Sequence, residues 1–216
     1  MPGPVGILHR FASAAAALMR KPGTPTPVPP VERQQRAMAA LRGPRLTYCL
    51  GAGGRGEIAG DYVPYRGEPP SSIAARRARG RVYVDCSGGV AGALGIQRHI
   101  RGYARGWDYF STDGVICDAD DPAVEIVRWV EIGEAIEPWT AIAVYGSLDT
   151  DGDGDRDVIG HMGLVSSVEA GWTFEGPASI ERLGIWHCAA SRHENGACRI
   201  TSGAPWARRG RLALVL

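Results

Sequence analysis

The sequence predicts an α+β domain in which a helix that begins at Cys86 packs on an antiparallel sheet. The stretch VYVDCSGGVAGALGIQ changes from β-branched alternation to small, helix-compatible residues at Cys86. Four later apolar segments have the composition and the flanking turn residues of strands. A helix followed by a run of strands indicates an α+β order rather than an alternating α/β order. The strand-like segments are residues 141–146, 161–168, 183–191 and 212–216.

The chain divides into a short appendage and one main domain. Residues 1–31 end in KPGTPTPVPPV, where the prolines fix φ and favour an extended linker. We expect residues 8–19 to form a short amphipathic or docking helix, because no clean cleavage site follows them. The main domain then covers residues 32–216 and opens on a helix whose Gly43 suits a C-cap.

Charge and hydropathy exclude two classes of partner. Lys and Arg number 24 against 23 Asp and Glu, so the net charge of +1 supplies no overall attraction to nucleic acid or a membrane surface. No apolar run reaches the roughly 18 residues of a membrane span. A polar, Pro- and Arg-rich excursion at residues 57–81 is interpreted as a surface insertion, and its arginines as solvated.

Cys86 is the cysteine with the best-placed thiol. Five scattered cysteines show no zinc-ligand spacing, and an odd number leaves at least one unpaired within the chain. The run Asp85-Cys86-Ser87-Gly88 places the Cys86 sulfur at a predicted helix start, where free backbone N–H groups and the helix dipole favour a thiolate. The alternative is a small core residue at a tight contact between helix and sheet.

Two of the five histidines lie in strand-like apolar runs. His161 stands in GHMGLV and His187 in GIWHCAAS. His9 lies in the appendage and His99 among arginines, so both are interpreted as solvated, and His193 in a turn-like stretch is either solvated or part of a substrate rim. A thiolate nucleophile needs a base, and the base needs a group that fixes its tautomer. The alternative is that each is an ordinary core or surface histidine.

Four blocks in order resemble one known family. DCSGGV, GHMGLV and IWHCAAS are similar to the DCSGFV, GHVGIV and VHAS blocks of the NlpC-type cell-wall peptidases, and TYCLGAGG resembles their tyrosine block. The resemblance runs from about Arg45 to the C-terminus and implies a papain-like fold. It implies that Cys86 is the nucleophile, His161 the general base and His187 the residue that orients this base.

The resemblance also assigns residues around the nucleophile. Tyr48, together with the backbone N–H of Cys86, would donate to the oxyanion. Asp85 and Ser87 match positions that in several relatives contact the free amine of a short peptide stem. Gly89 departs from the family, which has a larger residue there, and the segment between Tyr48 and Cys86 is much longer than usual.

The implied activity is hydrolysis of an amide bond in the peptide stem of peptidoglycan, between D-γ-glutamate and the diamino acid. The pattern is most similar to phage-encoded members, which implies a lysin or a virion-associated enzyme acting at the bacterial wall, in the periplasm or outside. The chemistry needs no cofactor, and the appendage would contact other virion proteins. The alternatives are an amidase or acyltransferase on the same fold, or a virion structural or wall-binding protein without turnover.

The segment LDTDGDGDRDVIGH predicts a calcium site. Its start fits the D-x-D-x-D-G pattern of an EF-hand-type loop, with Gly154 at the sharp turn. Gly160 stands where that loop has a bidentate glutamate, so the site would be irregular. The alternative is a solvated acidic hairpin tip. Five carboxylates at alternate positions would hold the ion: Asp149, Asp151, Asp153, Asp155 and Asp157.

Overall fold

A computed structural model gives the fold of the chain and describes residues 27–43, 46–48, 58, 83–97, 110–121, 127–148, 157–189, 196–208 and 211–215. The helices are α1 (Pro30–Arg42), α2 (Cys86–Ala93), α3 (Thr112–Ala119), a 3-10 helix (Pro177–Arg182) and α4 (Ala204–Ala207). The strands are β1 (Thr47–Tyr48), β2 (Tyr83–Val84), β3 (Val127–Trp129), β4 (Ala141–Leu148), β5 (Asp157–Ser167), β6 (Gly184–Cys188), β7 (Cys198–Ser202) and β8 (Arg211–Val215).

Six of these strands form one antiparallel sheet in the order β3-β8-β4-β5-β6-β7. The predicted α+β class is therefore confirmed, and all four strand-like segments of the sequence belong to this sheet. The short strands β1 and β2 pair in parallel as a separate ribbon. This ribbon places Tyr48 opposite Val84, two residues before Cys86.

Both faces of the six-stranded sheet are covered. The alternating side chains of β4 show how the sequence produces this: Ala141 and Ala143 belong to a cluster that contains the helices α2 and α3, whereas Ile142 and Val144 belong to a second cluster. Because neighbouring residues on a strand point to opposite faces, one apolar strand can support two cores. The second cluster includes Trp206 of α4.

Helix α1 confirms the predicted first helix of the main domain. Pro30 lies in its first turn, where its missing N–H costs no hydrogen bond, and the N–H of Gly43 donates to the carbonyl of Ala39 over 2.8 Å. Arg33 is only 8% exposed and donates to the carbonyl oxygens of Val28 and Trp139. Burial lowers the pKa of this guanidinium, and its hydrogen bond to Trp139 ties α1 to the segment that leads into β4.

Helix α2 lies on β5 and β6, and all eight of its residues are buried. A Cβ on Gly89 would lie 2.7 Å from Cys188 Sγ and 3.3 Å from Val84 Cγ2. The ring of Trp186 lies 3.4 Å from the same point, so Cys188, Val84 and Trp186 leave no room for a side chain at position 89.

Several predictions lie outside the described residues. These are the helix at residues 8–19, the insertion at residues 57–81 apart from Ile58, and the acidic residues from Asp149 to Asp155. The side chain of Asp157 is also outside, although its backbone opens β5. Within the described ranges, no helix has the length and apolar character needed to cross a membrane.

Candidate active site

Cys86 is the first residue of α2, as the sequence predicts, and its side chain is 6% exposed. Asp85 precedes it as the N-cap: its Oδ1 accepts a 2.6 Å hydrogen bond from the N–H of Gly88. An aspartate N-cap satisfies one of the unpaired donors at a helix start and fixes where the helix begins. The Cys86 sulfur therefore lies at the positive end of the helix dipole, which stabilises a thiolate.

The side chains beside Cys86 are themselves buried. Asp85 is fully buried and Ser87 is 3% exposed, with the Ser87 hydroxyl 3.4 Å from Asp85 Oδ1. Thr112, the first residue of α3, places its Oγ1 3.9 Å from Cys86 Sγ. Capping is thus the structural role of the Asp85 carboxylate, and contact of Asp85 and Ser87 with a substrate amine remains a prediction.

Tyr48 lies against Cys86 because β1 and β2 pair side by side. Its pKa is raised well above the usual range, first because burial penalises the phenolate and then because charge on Cys86 and Asp85 would repel it. A hydrogen bond to Cys86 raises this pKa further. The Tyr48 hydroxyl consequently keeps its proton at neutral pH and is a hydrogen-bond donor beside the sulfur.

His161 and His187 meet across β5 and β6. His187 is directly opposite Gly163, so His161 is its diagonal neighbour on the same face of the sheet. His161 Nε2 lies 2.9 Å from His187 Nδ1, and the two rings are nearly perpendicular at 84°. A hydrogen bond of this length between two imidazoles requires an N–H on one ring and a lone pair on the other. The pair is therefore an arrangement in which one ring fixes the tautomer of its partner.

The diagonal continues onto β7. His187 Nε2 lies 3.1 Å from Thr201 Oγ1, while His187 itself is opposite Arg199. His187 is 5% exposed, so both of its ring nitrogens are hydrogen-bonded inside the protein. The sequence analysis did not identify Thr201; the only available signal was the alternation in CRITS, which follows a turn-rich segment.

Trp206 covers both histidines. Its ring centroid lies 4.8 Å from that of His161 and 5.4 Å from that of His187, and the residue is 2% exposed. Gly163 makes this approach possible, because a Cβ there would lie 2.8 Å from Trp206 Cη2. The sequence analysis did not identify Trp206 as part of the site. Its indole shields the hydrogen bond between the histidines from water.

The predicted site residues therefore form two groups. The first group lies at the start of α2 and consists of Tyr48, Asp85, Cys86 and Ser87. The second group consists of the two histidines with Thr201 and Trp206. The two groups lie on opposite faces of the sheet, because α2 packs in the cluster that contains Ala141 and Ala143 whereas the histidine rings contact Trp206 of the second cluster. His161 shares a sheet face with Val144, which is directly opposite it on β4, and this face is the one that carries Trp206.

No metal-binding group of three or more His, Cys, Asp and Glu side chains occurs among the described residues. The predicted calcium ligands lie outside that part of the chain, and the site remains a prediction. What the structure does give is the position of the acidic segment between β4 and β5. His161 is on the second of these strands.

A scan against protein-family models, a search of curated proteins and a search of solved structures each gave no match.

Proposed function

We propose that this protein is a papain-like cysteine peptidase of the NlpC type that cleaves an amide bond in the peptide stem of peptidoglycan. The observation that carries the proposal is the 2.9 Å hydrogen bond between His161 and His187. Thiol-dependent amide hydrolysis needs a cysteine, a general base within hydrogen-bond reach of its sulfur, and a group that orients the base. The chain supplies a cysteine at a helix start and an oriented imidazole, and the proposal requires that the two come within reach of each other. The ordered blocks in the sequence support the same assignment.

Cys86 is the proposed nucleophile. The start of α2 favours its thiolate, and the Asp85 cap holds the turn that presents the sulfur. Attack on the substrate carbonyl places negative charge on the carbonyl oxygen. The neutral Tyr48 hydroxyl beside Cys86 and the backbone N–H of Cys86 would donate to this oxyanion.

His161 is the proposed base and acid. In the proposed tautomers, Nε2–H of His161 donates to His187 Nδ1, and Nε2–H of His187 donates to Thr201 Oγ1. This assignment leaves Nδ1 of His161 unprotonated. Nδ1 of His161 would then exchange a proton with the Cys86 thiol and deliver it to the leaving amine. Water releases the acyl group from Cys86 in the second half of the reaction.

Transfer of a proton between the two groups is the step that links them. Helix α2 rests on β5 and β6, the strands that carry His161 and His187. In the structure the histidine side chains lie on the opposite face of the sheet from α2: their rings contact Trp206 of the second cluster, whereas Met162 and Trp186 belong to the cluster that includes α2. The proposed proton transfer therefore requires His161 to reach the face on which α2 lies. An experiment on the proposed function must therefore test Cys86 and His161 as a pair.

The substrate and the setting follow from the resemblance. The bond between D-γ-glutamate and the diamino acid is the proposed target, in the wall of a bacterium that a phage lyses or enters. We propose that calcium bound at the acidic segment before β5 is structural and takes no part in the chemistry.

Digestion of purified peptidoglycan tests the proposal. Wild-type protein should release new amino groups, and mass spectrometry of the muropeptides should locate the cleavage between D-glutamate and the diamino acid. Cys86→Ala should release none while keeping the wild-type melting temperature within a few degrees. Cys117→Ala, a change at the cysteine of α3, is the matched control and should give the same products as the wild type.

The outcomes separate the alternatives. Cleavage at the bond between the glycan and the peptide would identify an amidase, and transfer of the acyl group to an added amine would identify an acyltransferase. Binding to the wall without any product in either protein would identify a binding or structural protein. Equal product from Cys86→Ala would refute the assigned nucleophile.

A further inference from the structure

Cys188 and Cys198 are paired across the last two strands of the sheet. They are directly opposite each other on β6 and β7, and their sulfur atoms lie 2.7 Å apart. Both are free thiols, at 0% and 1% exposure. A covalent S–S bond is about 2.05 Å long, so these sulfurs are much nearer to bonding distance than atoms that merely pack together.

The register of the strands suits a cross-link. The N–H of Ala189 donates to the carbonyl of Ala197, so this neighbouring pair occupies a hydrogen-bonded site of the antiparallel ladder. Hydrogen-bonded and non-hydrogen-bonded sites alternate, and Cys188 and Cys198 therefore occupy a non-hydrogen-bonded site. Cα atoms at such a site are about 4.5 Å apart, which lies within the range that disulfides bridge.

We propose that Cys188 and Cys198 form a cross-strand disulfide by exchange with a small-molecule disulfide such as oxidised glutathione. The Cys198 thiolate attacks one sulfur of the oxidant, which forms a mixed disulfide and releases one glutathione thiolate. The Cys188 thiolate then attacks Cys198 Sγ, which closes the intramolecular bond and releases the second glutathione. The two protein thiols together lose two electrons and two protons. One molecule of oxidised glutathione takes up these electrons and protons and becomes two molecules of reduced glutathione.

Burial determines when this exchange takes place. Burial raises the pKa of the Cys188 thiol, and the adjacent Cys198 raises it further, so Cys188 holds little thiolate in the folded protein. β7 is the terminal strand of the described sheet, which makes Cys198 the first of the two to reach solvent when the edge opens. The bond therefore forms during folding or edge opening, and afterwards the closed sheet shields it from reductants.

The cross-link would act on the histidine group. Cys188 directly follows His187, and Cys198 precedes Thr201 by three residues on the same strand. A covalent bond between β6 and β7 at this point limits their separation where His187 Nε2 and Thr201 Oγ1 are hydrogen-bonded. The cysteine pair therefore helps to position His187 and Thr201 only when the disulfide has formed.

Peptide mapping tests the disulfide without any substrate, so its outcome is independent of the proposed peptidase activity. Full-length Cys86→Ala protein is unfolded, refolded in a glutathione redox buffer, quenched in acid, unfolded again and alkylated. We expect digestion to yield one peptide pair joined through Cys188 and Cys198, with the remaining two cysteines, Cys49 and Cys117, alkylated. Recovery of both Cys188 and Cys198 in alkylated form, or joined to other cysteines, would overturn the proposal.

Thermal unfolding supplies the second measurement. A bond that closes a loop of about ten residues should raise the melting temperature by about 5 °C over the reduced protein. In Cys198→Ser, glutathione redox state should no longer change the melting temperature. An equal response in that variant would contradict the assignment, and if the variant does not fold, the peptide map of the parent protein decides.

Discussion

His161 Nε2 and His187 Nδ1 lie 2.9 Å apart across two neighbouring strands, with the two rings nearly perpendicular. At most one of the two facing nitrogens carries a proton, since two N–H groups would repel. The hydrogen bond therefore holds the base in one tautomer. Several consequences of this and of the neighbouring packing are measurable.

Loss of the second imidazole should slow catalysis. In His187→Ala, His161 loses the acceptor of its Nε2–H, and we expect kcat on a muropeptide to fall by about 100-fold. His187→Asn retains an amide oxygen that accepts this proton and should recover part of the loss. Discontinuous assays with mass spectrometry of the products give kcat for both variants. Equal kcat in wild type and His187→Ala would contradict the assigned role.

The Tyr48 hydroxyl should affect both turnover and alkaline stability. Tyr48→Phe removes a proposed oxyanion donor, which should lower kcat about 100-fold with a smaller change in KM. The raised pKa of Tyr48 means that, above about pH 10, the unfolded chain loses this proton while the folded protein retains it. The stability supplied by this group is therefore complete below that pH and declines as the pH rises.

Denaturant unfolding measures that alkaline effect. Wild-type stability should fall more steeply above about pH 10 than that of Tyr48→Phe, by about 1.4 kcal/mol per pH unit for the one proton. The two proteins should have parallel pH profiles at neutral pH. If the stability of wild type and of Tyr48→Phe declined equally above about pH 10, the pKa of Tyr48 would not be raised by folding.

Gly89→Ala should destabilise the contact between α2 and the sheet. Its Cβ would lie 2.7 Å from Cys188 Sγ, and overpacking of this kind costs about 1–3 kcal/mol. Combining it with Cys188→Ala removes the nearest clashing atom. The double variant should therefore lose less free energy of unfolding than the two single variants lose in sum. Denaturant unfolding of the three variants and the wild type measures these losses. Strict additivity would mean that Gly89 and Cys188 do not pack together.

Calcium should stabilise the fold through the acidic segment that joins β4 to β5. In chelator-treated protein, calcium at ten times its Kd should raise the melting temperature by about 3 °C. A variant with Asp151→Asn and Asp153→Asn should lose this response. If neither heat of binding nor thermal shift accompanies a calcium titration of the wild type, the segment is a solvated hairpin tip.

The sequence predicted those elements whose own pattern is strong. Apolar composition and flanking turn residues located β4, β5, β6 and β8, although β5 begins earlier than expected, at Asp157, because its first residues pair with the end of β4. The start of α2 was predicted at the correct residue, since Asp85 is an effective cap and small residues follow. The helix α1 was also predicted.

The remaining elements depend on tertiary contacts. Helix α3 contains Gly114 and is only eight residues long, so it is stabilised by burial of Val115 and Ile116 rather than by propensity. The three-residue β3 is too short to show a period, and the short alternation of β7 in CRITS follows a turn-rich segment, so neither strand was predicted. The closeness of Tyr48 and Cys86 arises from a parallel pairing of two-residue strands, which no local pattern reveals.

The central claim is that Cys86 is a nucleophile activated by His161. The most direct measurement is the rate at which iodoacetamide alkylates Cys86, followed by mass spectrometry of the Cys86 peptide from about pH 4 to about pH 9. We expect a fast reaction at neutral pH with two inflections, one for formation of the thiolate paired with the imidazolium and one for loss of the imidazolium proton. His161→Gln should abolish the lower inflection. A single inflection at the ordinary thiol value of about 8.5, unchanged in His161→Gln, would contradict the claim.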